Sequence, residues 1–305
     1  MSIWDVFAGD LPDIEPVTAE EGDTPLVGAP DLAEEYGVDE LFFKDESRNP
    51  TGTIHDRAAS VVVSAAREEG AERVVGYAPG DAAVAVAAYA GRAGIESHAY
   101  VPSRARFDVK ASVNVHGGSM KVVRGNLVDA RSAADEDGGY GVSSPDERLR
   151  AGYATAAREV LGAERGVDSV VCPVGTGDVY RAFCDAVPDD VPVHAAQPEG
   201  CATLTGDVET PDTVVGELED PSPPDLDELR EAADGRGRTA TVSDGEALDA
   251  CLDAARAGVS LSPAGGVALA GVSELDGPGS VAVLNPALGR LSADALRNRM
   301  VYHGE

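Results

Sequence analysis

Two residues near the start of this chain have side chains that could carry out covalent or acid–base chemistry. Lys44 supplies a primary amine, the group that can form a Schiff base with a carbonyl compound, and His55 supplies an imidazole that titrates near neutral pH. Asp56 follows His55 directly, but adjacent residues on a helix point about 100° apart, so the two side chains do not face each other. This spacing favours a non-catalytic His55 over a catalytic dyad.

A glycine-rich segment further along the chain could bind an anion. Gly175, Thr176 and Gly177 lie between an apolar run and a helical pattern. Backbone N–H groups in such a turn, together with the positive end of a helix, can face a phosphate or carboxylate. Asp178 would oppose that anion, and a tight turn without a ligand is the alternative interpretation. Both interpretations stay open.

The cysteines and histidines do not have the spacing of a metal site. No two cysteines are close enough for a zinc or redox motif, which predicts buried thiols in a reducing compartment; they are Cys172, Cys184, Cys201 and Cys251. The remaining histidines are scattered along the chain, and no metal-ligand spacing joins them: His98, His116, His194 and His303. The sequence therefore predicts no metal.

The charge of the chain restricts its partners and its surroundings. Its 305 residues include 24 Lys and Arg against 54 Asp and Glu, a formal net charge of −30. Such an acidic surface is typical of salt-accumulating halophiles, because molar salt shortens the Debye length to ~3 Å and screens the self-repulsion. The same charge argues against nucleic acid as a partner. Without a signal-like N-terminus or an apolar run of ~20 residues, we expect a cytoplasmic protein with no membrane contact.

Strand-like and helical patterns alternate along most of the chain and must position these residues. The predicted strands are Leu41–Asp45, Arg73–Tyr77, Ser97–Val101, Ser119–Val123, Ser169–Val174, Val193–Gln197, Val259–Ser262 and Ser280–Leu284. The predicted helices are Thr53 (as N-cap) to Glu69, Asp81–Ala93, Ala105–Val115, Asp146–Leu161, Asp178–Ala186, Ser243 (as N-cap) to Ala257, Ala264–Leu275 and a last one capped by Ser292. Repeated β-α units of this kind predict an α/β fold with mostly parallel sheets flanked by helices.

Two stretches interrupt the alternation. Residues Ala134–Pro145 are rich in Asp, Gly and Ser, which is typical of a linker. Residues Asp207–Asp234 combine several prolines with many acids and few apolar residues. We expect this acidic segment to be a surface excursion or a partly mobile stretch.

Six motifs together are similar to the threonine synthases and their fold-type II pyridoxal-phosphate relatives. The segment Lys44–Arg57 closely resembles the family pattern K-D-E-x-x-N-P-T-G-S-F-K-D-R. The other matching segments keep the family's order and spacing: Gly22–Leu26 with G-x-T-P-L, Ala78–Ile95 with the S-G-N segment and its alanine-rich helix, Val174–Gly177 with the phosphate loop, Ser262–Gly266 with E-P-A-G-A, and Val281–Leu284 with the last core strand. The resemblance covers nearly the whole chain.

The resemblance implies a fold, a cofactor and a set of site residues. It implies two domains, a large one of residues 1–69 and 141–305 and a small one of residues 70–140, with pyridoxal phosphate as the cofactor. His55 falls where the family has its Schiff-base lysine. The implied cofactor-binding positions are Gly175, Thr176 and Gly177 for the phosphate, Gly80 and Asp81 beside the phenolate oxygen, and Asn285 near the ring nitrogen. Two acids of the family correspond here to Ser262 and Ala151.

Three functional hypotheses follow. Because several cofactor-facing positions have changed together, the first is a catalytically degenerate threonine synthase-like protein that binds a phosphorylated metabolite, an amino acid or another subunit, including a second copy in a homodimer. The second is an active lyase or synthase that acts on a hydroxyamino acid or its phosphate ester through Lys44 or another amine. The third is a regulatory subunit of an active paralogue.

Overall fold

The computed structural model describes residues 1–78, 80–103, 105, 107–275 and 279–289. Its strands in these ranges are β1 (Leu26–Gly28), β2 (Glu40–Asp45), β3 (Arg73–Tyr77), β4 (Glu96–Pro102), β5 (Ser119–Val123), β6 (Tyr140–Gly141), β7 (Ser169–Pro173), β8 (Val193–Pro198), β9 (Thr239–Val242) and β10 (Ser280–Asn285). Its α-helices there are α1 (Ile3–Val6), α2 (Pro30–Glu35), α3 (His55–Glu68), α4 (Asp81–Ala93), α5 (Phe107–Val115), α6 (Leu127–Asp135), α7 (Glu147–Gly162), α8 (Asp178–Ala186), α9 (Leu226–Arg236), α10 (Asp244–Arg256) and α11 (Pro263–Gly271). This alternation confirms the predicted α/β class.

The chain forms two compact units, each built from two separate stretches. Unit 1 comprises residues 1–23 and 49–155, and unit 2 comprises residues 24–48 and 156–305. The predicted small domain of residues 70–140 is thus part of a larger unit. The reason is that α3 packs against α4 and α7: a Cβ on Gly152 of α7 would lie 2.6 Å from the carbonyl oxygen of Arg57, so only glycine allows this close approach.

Unit 2 is built on a six-stranded sheet in the order β1-β2-β10-β7-β8-β9. All neighbouring strands are parallel except β1, which runs antiparallel to β2. Asn285 at the end of β10 is in register with Asp45 at the end of β2. Because the strands run in one direction, their carboxyl ends meet along one edge of the sheet, where ligands of open α/β sheets usually bind.

Unit 1 contains a four-stranded parallel sheet in the order β5-β4-β3-β6. Apolar side chains cover both of its faces: one cluster lies around Val101 and Val113, the other around Tyr77 and Leu127. A third cluster joins α1 to α3 through Ile3 and Val61. Parallel strands that are covered on both faces explain the apolar runs from which the strands were predicted.

Several predicted elements need correction. Val259–Ser262 is not a paired strand, although Val259, Leu261 and Ser262 are buried; it leads into α11, and Ser262 is the N-cap. The predicted linker Ala134–Pro145 contains the end of α6 and also β6, which pairs with β3. Helix α3 begins at His55 with Ile54 as N-cap, one residue after the predicted cap Thr53, whose hydroxyl still accepts the His55 N–H at 3.4 Å. The helix expected after Ser292 lies outside the described residues.

The acidic segment (residues 207–234) is folded onto unit 2. It contains the 3-10 turn Gly216–Leu218 and most of α9, and Val215 and Leu218 join the main apolar core of the unit. Its composition suggested a surface excursion because the buried apolar residues are few and widely spaced. Thr213 and Val214 also attach it to the Asp244 carboxylate, at 2.5 and 2.9 Å.

Candidate functional site

The loop before α3 is fixed by the side chains at its two ends. Asn49 accepts a hydrogen bond from the Gly22 N–H at 2.9 Å. The Asp56 carboxylate accepts from both the N–H and the hydroxyl of Thr51, each at 2.9 Å. Burial raises the pKa of Asp56 to about 7, although these hydrogen bonds act in the opposite direction. These hydrogen bonds therefore fix the backbone of the loop that leads to His55.

His55 is the first residue of α3, and its ring contacts Tyr153 of α7. Nδ1 lies 2.7 Å from the Tyr153 hydroxyl, and the two rings meet edge to face with centroids 5.7 Å apart. His55 is half-buried, and loss of solvent around the imidazole lowers its pKa to about 4. The ring is therefore neutral at pH 7, and Nδ1 can accept a hydrogen bond from the Tyr153 hydroxyl while Nε2 carries the ring hydrogen.

A second contact parallels this one two residues further along each helix. Arg57 is fully buried, and Nη1 donates to the Thr155 hydroxyl at 2.9 Å. The pairs His55–Tyr153 and Arg57–Thr155 thus hold the start of α3 against α7. Tyr153 was not predicted as a site residue, because 98 residues separate it from His55. The nearest hint was the alignment of Ala151, two residues earlier, with an acidic position of the resembling family.

Lys44 lies on β2 in unit 2 and is buried among carboxylates. Its Nζ is 2.5 Å from Glu159, 2.6 Å from the carbonyl oxygen of Thr24 and 3.8 Å from Glu46. The lysine side chain is 2% exposed. An ammonium that is desolvated needs such partners, and breaking them to release a free amine would leave two carboxylates without their cation. This geometry is typical of a structural ion pair.

Asn285 uses its side-chain amide within the protein. Nδ2 donates to Asp45 at 3.0 Å and to the carbonyl oxygen of Ser260 at 3.3 Å, and Oδ1 accepts from the Ser262 N–H at 3.1 Å. The residue is fully buried, and a Cβ on Gly265 would lie 2.6 Å from Oδ1. Asn285 therefore joins the ends of β2 and β10 to the start of α11.

The start of α11 is saturated by hydrogen bonds from unit 2 itself. Pro263 has no N–H, the Ala264 N–H donates to Oε1 of Glu217 at 3.1 Å, and the Gly265 N–H donates to the Ser262 hydroxyl at 3.1 Å. The next N–H, that of Gly266, donates to the Ser262 carbonyl oxygen. All first-turn donors are thus satisfied. Glu217 belongs to the acidic segment and was not predicted to face the site.

The glycine loop, residues Gly175 to Gly177, packs against the acidic segment. A Cβ on Gly175 would lie 3.1 Å from Cα of Leu218, and one on Gly177 would lie 2.8 Å from Cδ2 of Leu229. Gly177 also has φ = +95°, the left-handed region that favours glycine. Close packing therefore accounts for both glycines without a ligand. Helix α8, which follows, has no side-chain cap, so its start retains the electrostatic attraction of a helix N-terminus for an anion.

The predicted site residues are divided between the two units. His55, Gly80 and Asp81 belong to unit 1, where Gly80 is the N-cap of α4 and Asp81 its half-buried first residue. Asn285 and the glycine loop belong to unit 2. Among the described residues, no group of His, Cys, Asp or Glu has the arrangement of a metal site, and burial raises the pKa of all four cysteine thiols. No helix in the same ranges is long and apolar enough to cross a bilayer.

The similarity to known proteins agrees with this architecture. A family profile described as "Pyridoxal-phosphate dependent enzyme" matches residues 17–286. The chain belongs to this family. Among its relatives, the threonine synthase of Methanosarcina acetivorans is 30% identical over 304 aligned residues, which cover 90% of this chain and 75% of that protein. The threonine synthase of Mycobacterium leprae is 31% identical, covering 85% of this chain and 78% of that protein.

Solved structures of pyridoxal-phosphate enzymes have the same fold. The L-serine ammonia-lyase of Rhizomucor miehei gives a TM-score of 0.81 at 20% identity, covering 94% of this chain and 99% of that one. An O-ureido-L-serine-bound lysine-to-alanine mutant of O-ureido-L-serine synthase gives a TM-score of 0.81 at 21% identity, covering 96% and 95%. At these identities the likeness concerns the fold alone. Together with the alternating elements, it confirms the predicted fold-type II architecture.

The residues of this family member fit covalently attached pyridoxal phosphate poorly. Covalent attachment needs a primary amine, whereas position 55 carries an imidazole and the Lys44 amine is held by carboxylates. The Asn285 amide and the start of α11 are engaged within the protein. The start of α8 has no side-chain cap, but its first residue, Asp178, adds a negative charge that opposes an anion there.

Proposed function

We propose that this chain is a threonine synthase-like member of the pyridoxal-phosphate dependent enzyme family that does not attach the cofactor covalently. In this proposal it binds an amino-acid-like ligand without turning it over. The observation that carries the proposal is the neutral imidazole of His55, held 2.7 Å from the Tyr153 hydroxyl at the first residue of α3. The motif resemblance of Lys44–Arg57 implies that related enzymes have their Schiff-base lysine at this position, which supports the proposal.

An imidazole cannot replace that lysine in the chemistry of the family. A primary amine condenses with an aldehyde and loses water, whereas the neutral imidazole of His55 has no NH2 group to do so. With its pKa lowered to about 4, the ring can still accept or donate hydrogen bonds at pH 7. His55 therefore suits a ligand-facing polar contact better than a covalent one.

The other lysines give little support to an active enzyme. Lys44 is enclosed by the Glu159 and Glu46 carboxylates. Lys110 donates to the carbonyl oxygen of Ser103 at 2.9 Å on α5, and Lys121 is exposed on β5. Neither α5 nor β5 is an element that carries one of the cofactor-binding positions implied by the resemblance.

The relatives and structural neighbours support the ligand class. Their names refer to small amino acids: threonine synthases, an L-serine ammonia-lyase and a maize serine racemase. The O-ureido-L-serine synthase neighbour was solved with its amino acid bound after a lysine had been replaced by alanine. Retention of an amino acid in the absence of a lysine is therefore compatible with this fold.

The test is a titration of the full chain with pyridoxal phosphate in molar KCl, followed by borohydride reduction and peptide mass analysis. We expect no saturable visible absorbance band and no lysine labelled in stoichiometric amount. Calorimetric titration of the same preparation with L-serine and L-threonine should show saturable binding, with no product formed on prolonged incubation.

Two controls separate specific from incidental labelling. The variant Lys121→Arg removes an exposed amine, so any label lost with it is non-specific. The variant His55→Lys supplies an amine at the implied position and should gain a label that the wild type lacks. Stoichiometric labelling of Lys44 or Lys110 in the wild type, with turnover of a hydroxyamino acid, would show that the protein is an active enzyme.

A further inference from the structure

One edge of the unit 1 sheet is open. In the described parts of the chain, β5 pairs with β4 alone, so one side of β5 has no strand beside it. An edge strand presents unpaired backbone N–H and C=O groups to a further strand. The side chains of Lys121 and Arg124 are exposed, and Val122 between them is 51% exposed. We call Lys121, Val122 and Arg124 the basic edge.

The charge of the basic edge is opposite to that of the whole chain. The chain has a formal net charge of −30 and three lysines, of which Lys110 lies on α5 and Lys121 on β5. Between residues 103 and 126 the sequence contains a single acid, Asp108. Within the described ranges, neither Lys121 nor Arg124 has a side-chain partner. Two cations are therefore available at this edge to an external group.

Two acids on neighbouring elements already have partners. Asp129 of α6 accepts a backbone N–H at 2.9 Å in the capping box of its own helix. Asp137 accepts from the hydroxyl of Tyr100, the residue on β4 that is in register with Lys121, and its other oxygen lies 3.0 Å from Arg73. A carboxylate from another molecule would thus meet the basic edge without displacing an internal ion pair.

The alternation of side chains along β5 indicates the kind of strand that would fit. Successive residues point to opposite faces of a sheet, so Lys121 and Val122 lie on different faces. Val123 packs with the apolar cluster of one face, and Met120 with the cluster of the other. A strand added beside β5 would therefore find a cation on one face and exposed apolar surface on the other. An acidic residue followed by an apolar one matches both.

Two other occupants fit less well. Two copies of β5 paired with each other would bring basic side chains together across the new ladder, which is destabilising. A single-stranded nucleic acid needs aromatic side chains on which its bases stack, whereas this edge offers Val122, and the charge of −30 repels a long polyanion. Charge and side-chain type together favour an acidic polypeptide.

We propose that the basic edge binds an extended acidic segment of a partner protein, which adds a strand to β5 and alternates acidic with apolar residues. The backbone of β5 supplies hydrogen bonds, and Lys121 and Arg124 select for negative charge. A lysine on an edge strand also prevents pairing between copies. The charge that excludes a second basic edge attracts an acidic one. This interaction is additional to the ligand binding proposed above and independent of it.

The test is a titration of the full chain in molar KCl with a fluorescent peptide that alternates Glu with Val, followed by anisotropy. Two N-methylated forms of this peptide each block one of its two hydrogen-bonding edges. The variants Lys121→Glu and Arg124→Glu reverse charges of the basic edge. Arg256→Glu, at a 64% exposed side chain on α10, is the control with the same change in net charge. Thermal melts verify that each variant is folded.

We expect saturable binding of the Glu–Val peptide that is lost in one N-methylated form and kept in the other. Each charge reversal at the basic edge should weaken binding by about threefold in molar salt, and the control should leave it unchanged. A peptide that alternates Lys with Val should not bind. No saturable binding of the Glu–Val peptide, equal binding of both N-methylated forms, the same loss in the control or tighter binding of polyuridine would overturn the inference.

Discussion

The Tyr153 hydroxyl lies 2.7 Å from Nδ1 of His55 and joins the first residue of α3 to the middle of α7. The first N–H groups of a helix have no partner within the helix, so contacts from other elements often fix its start. Here the side chain at the start is held by a buried phenol, and Arg57 repeats the connection with Thr155. Two side-chain contacts, one from His55 and one from Arg57, therefore hold the first turn of α3 against α7.

The first prediction concerns the His55–Tyr153 contact. Tyr153→Phe keeps the ring and removes the hydroxyl, so the free energy of unfolding should fall by about 1 kcal/mol. Urea unfolding in molar KCl measures this for Tyr153→Phe, His55→Phe and the double variant. A coupling energy of about 0.5 kcal/mol or more is expected from the cycle. Strict additivity would mean that the contact contributes nothing.

The second prediction concerns acid unfolding. The pKa of His55 is about 4 in the folded chain against 6.5 for a free histidine, so the unfolded state binds the proton first as the pH falls. Above pH 6.5 the His55 imidazole is neutral in both states and does not change the free energy of unfolding. Between pH 6.5 and 4 it lowers that free energy, by about 2–3 kcal/mol for a half-buried ring. The variant His55→Gln should not show this part of the loss of stability at low pH. Urea unfolding at each pH measures the free energy of unfolding of both proteins.

Asp56 acts in the opposite direction, and the same comparison controls for it. Its pKa is raised from 3.8 to about 7, so its contribution to stability is greatest below pH 3.8 and is lost as the pH rises towards 7. Because Asp56 is present in both proteins, it cancels in the difference between wild type and His55→Gln. A difference that does not change between pH 6.5 and 4 would contradict the assignment.

The third prediction concerns Lys44. Lys44→Met leaves Glu159 and Glu46 without their buried cation and should lower the free energy of unfolding by about 3–5 kcal/mol. The double variant Lys44→Met with Glu159→Gln should regain part of this loss. Lys121→Met, at an exposed position on β5, is the control and should change stability by less than about 0.5 kcal/mol. Similar losses at Lys44 and Lys121 would argue against the ion-pair role.

The fourth prediction concerns salt. With a net charge of −30, the folded chain repels itself in dilute buffer, and salt screens that repulsion. The midpoint of thermal unfolding should rise by about 10 °C or more between 0.1 and 2 M KCl, an effect of several kcal/mol. Sucrose stabilises proteins by exclusion without screening charge, and it should have a smaller effect. A midpoint independent of KCl would exclude the halophilic interpretation.

The sequence predicts most regular elements of this fold because their residue patterns are local. β3, β5, α4 and α8 have the predicted bounds, and Gly94 adopts the left-handed conformation expected after α4. Their apolar runs and capping residues are local signals. The short β6 was missed because two paired residues in a polar stretch leave no periodic pattern.

The site was less predictable, because its decisive contacts join distant segments. Tyr153 contacts His55 from 98 residues away, and Glu217 contacts Ala264 from 47 residues away. Neither Tyr153 nor Glu217 belongs to a motif. The occupied amide of Asn285 was also hidden, since its partners come from β2 and from the segment before α11. A motif gives the residue type at a position but not the hydrogen bonds already made there.

The position of β10 has a consequence for how the protein is made. This strand lies between β2 and β7, and the Asn285–Asp45 contact spans 240 residues. A ribosome must therefore add 240 residues after Asp45 before the centre of the larger sheet can close. Until then β2 and β7 present open edges to other nascent chains. Such long-range closure makes folding slow, and we therefore expect these open edges to persist during synthesis.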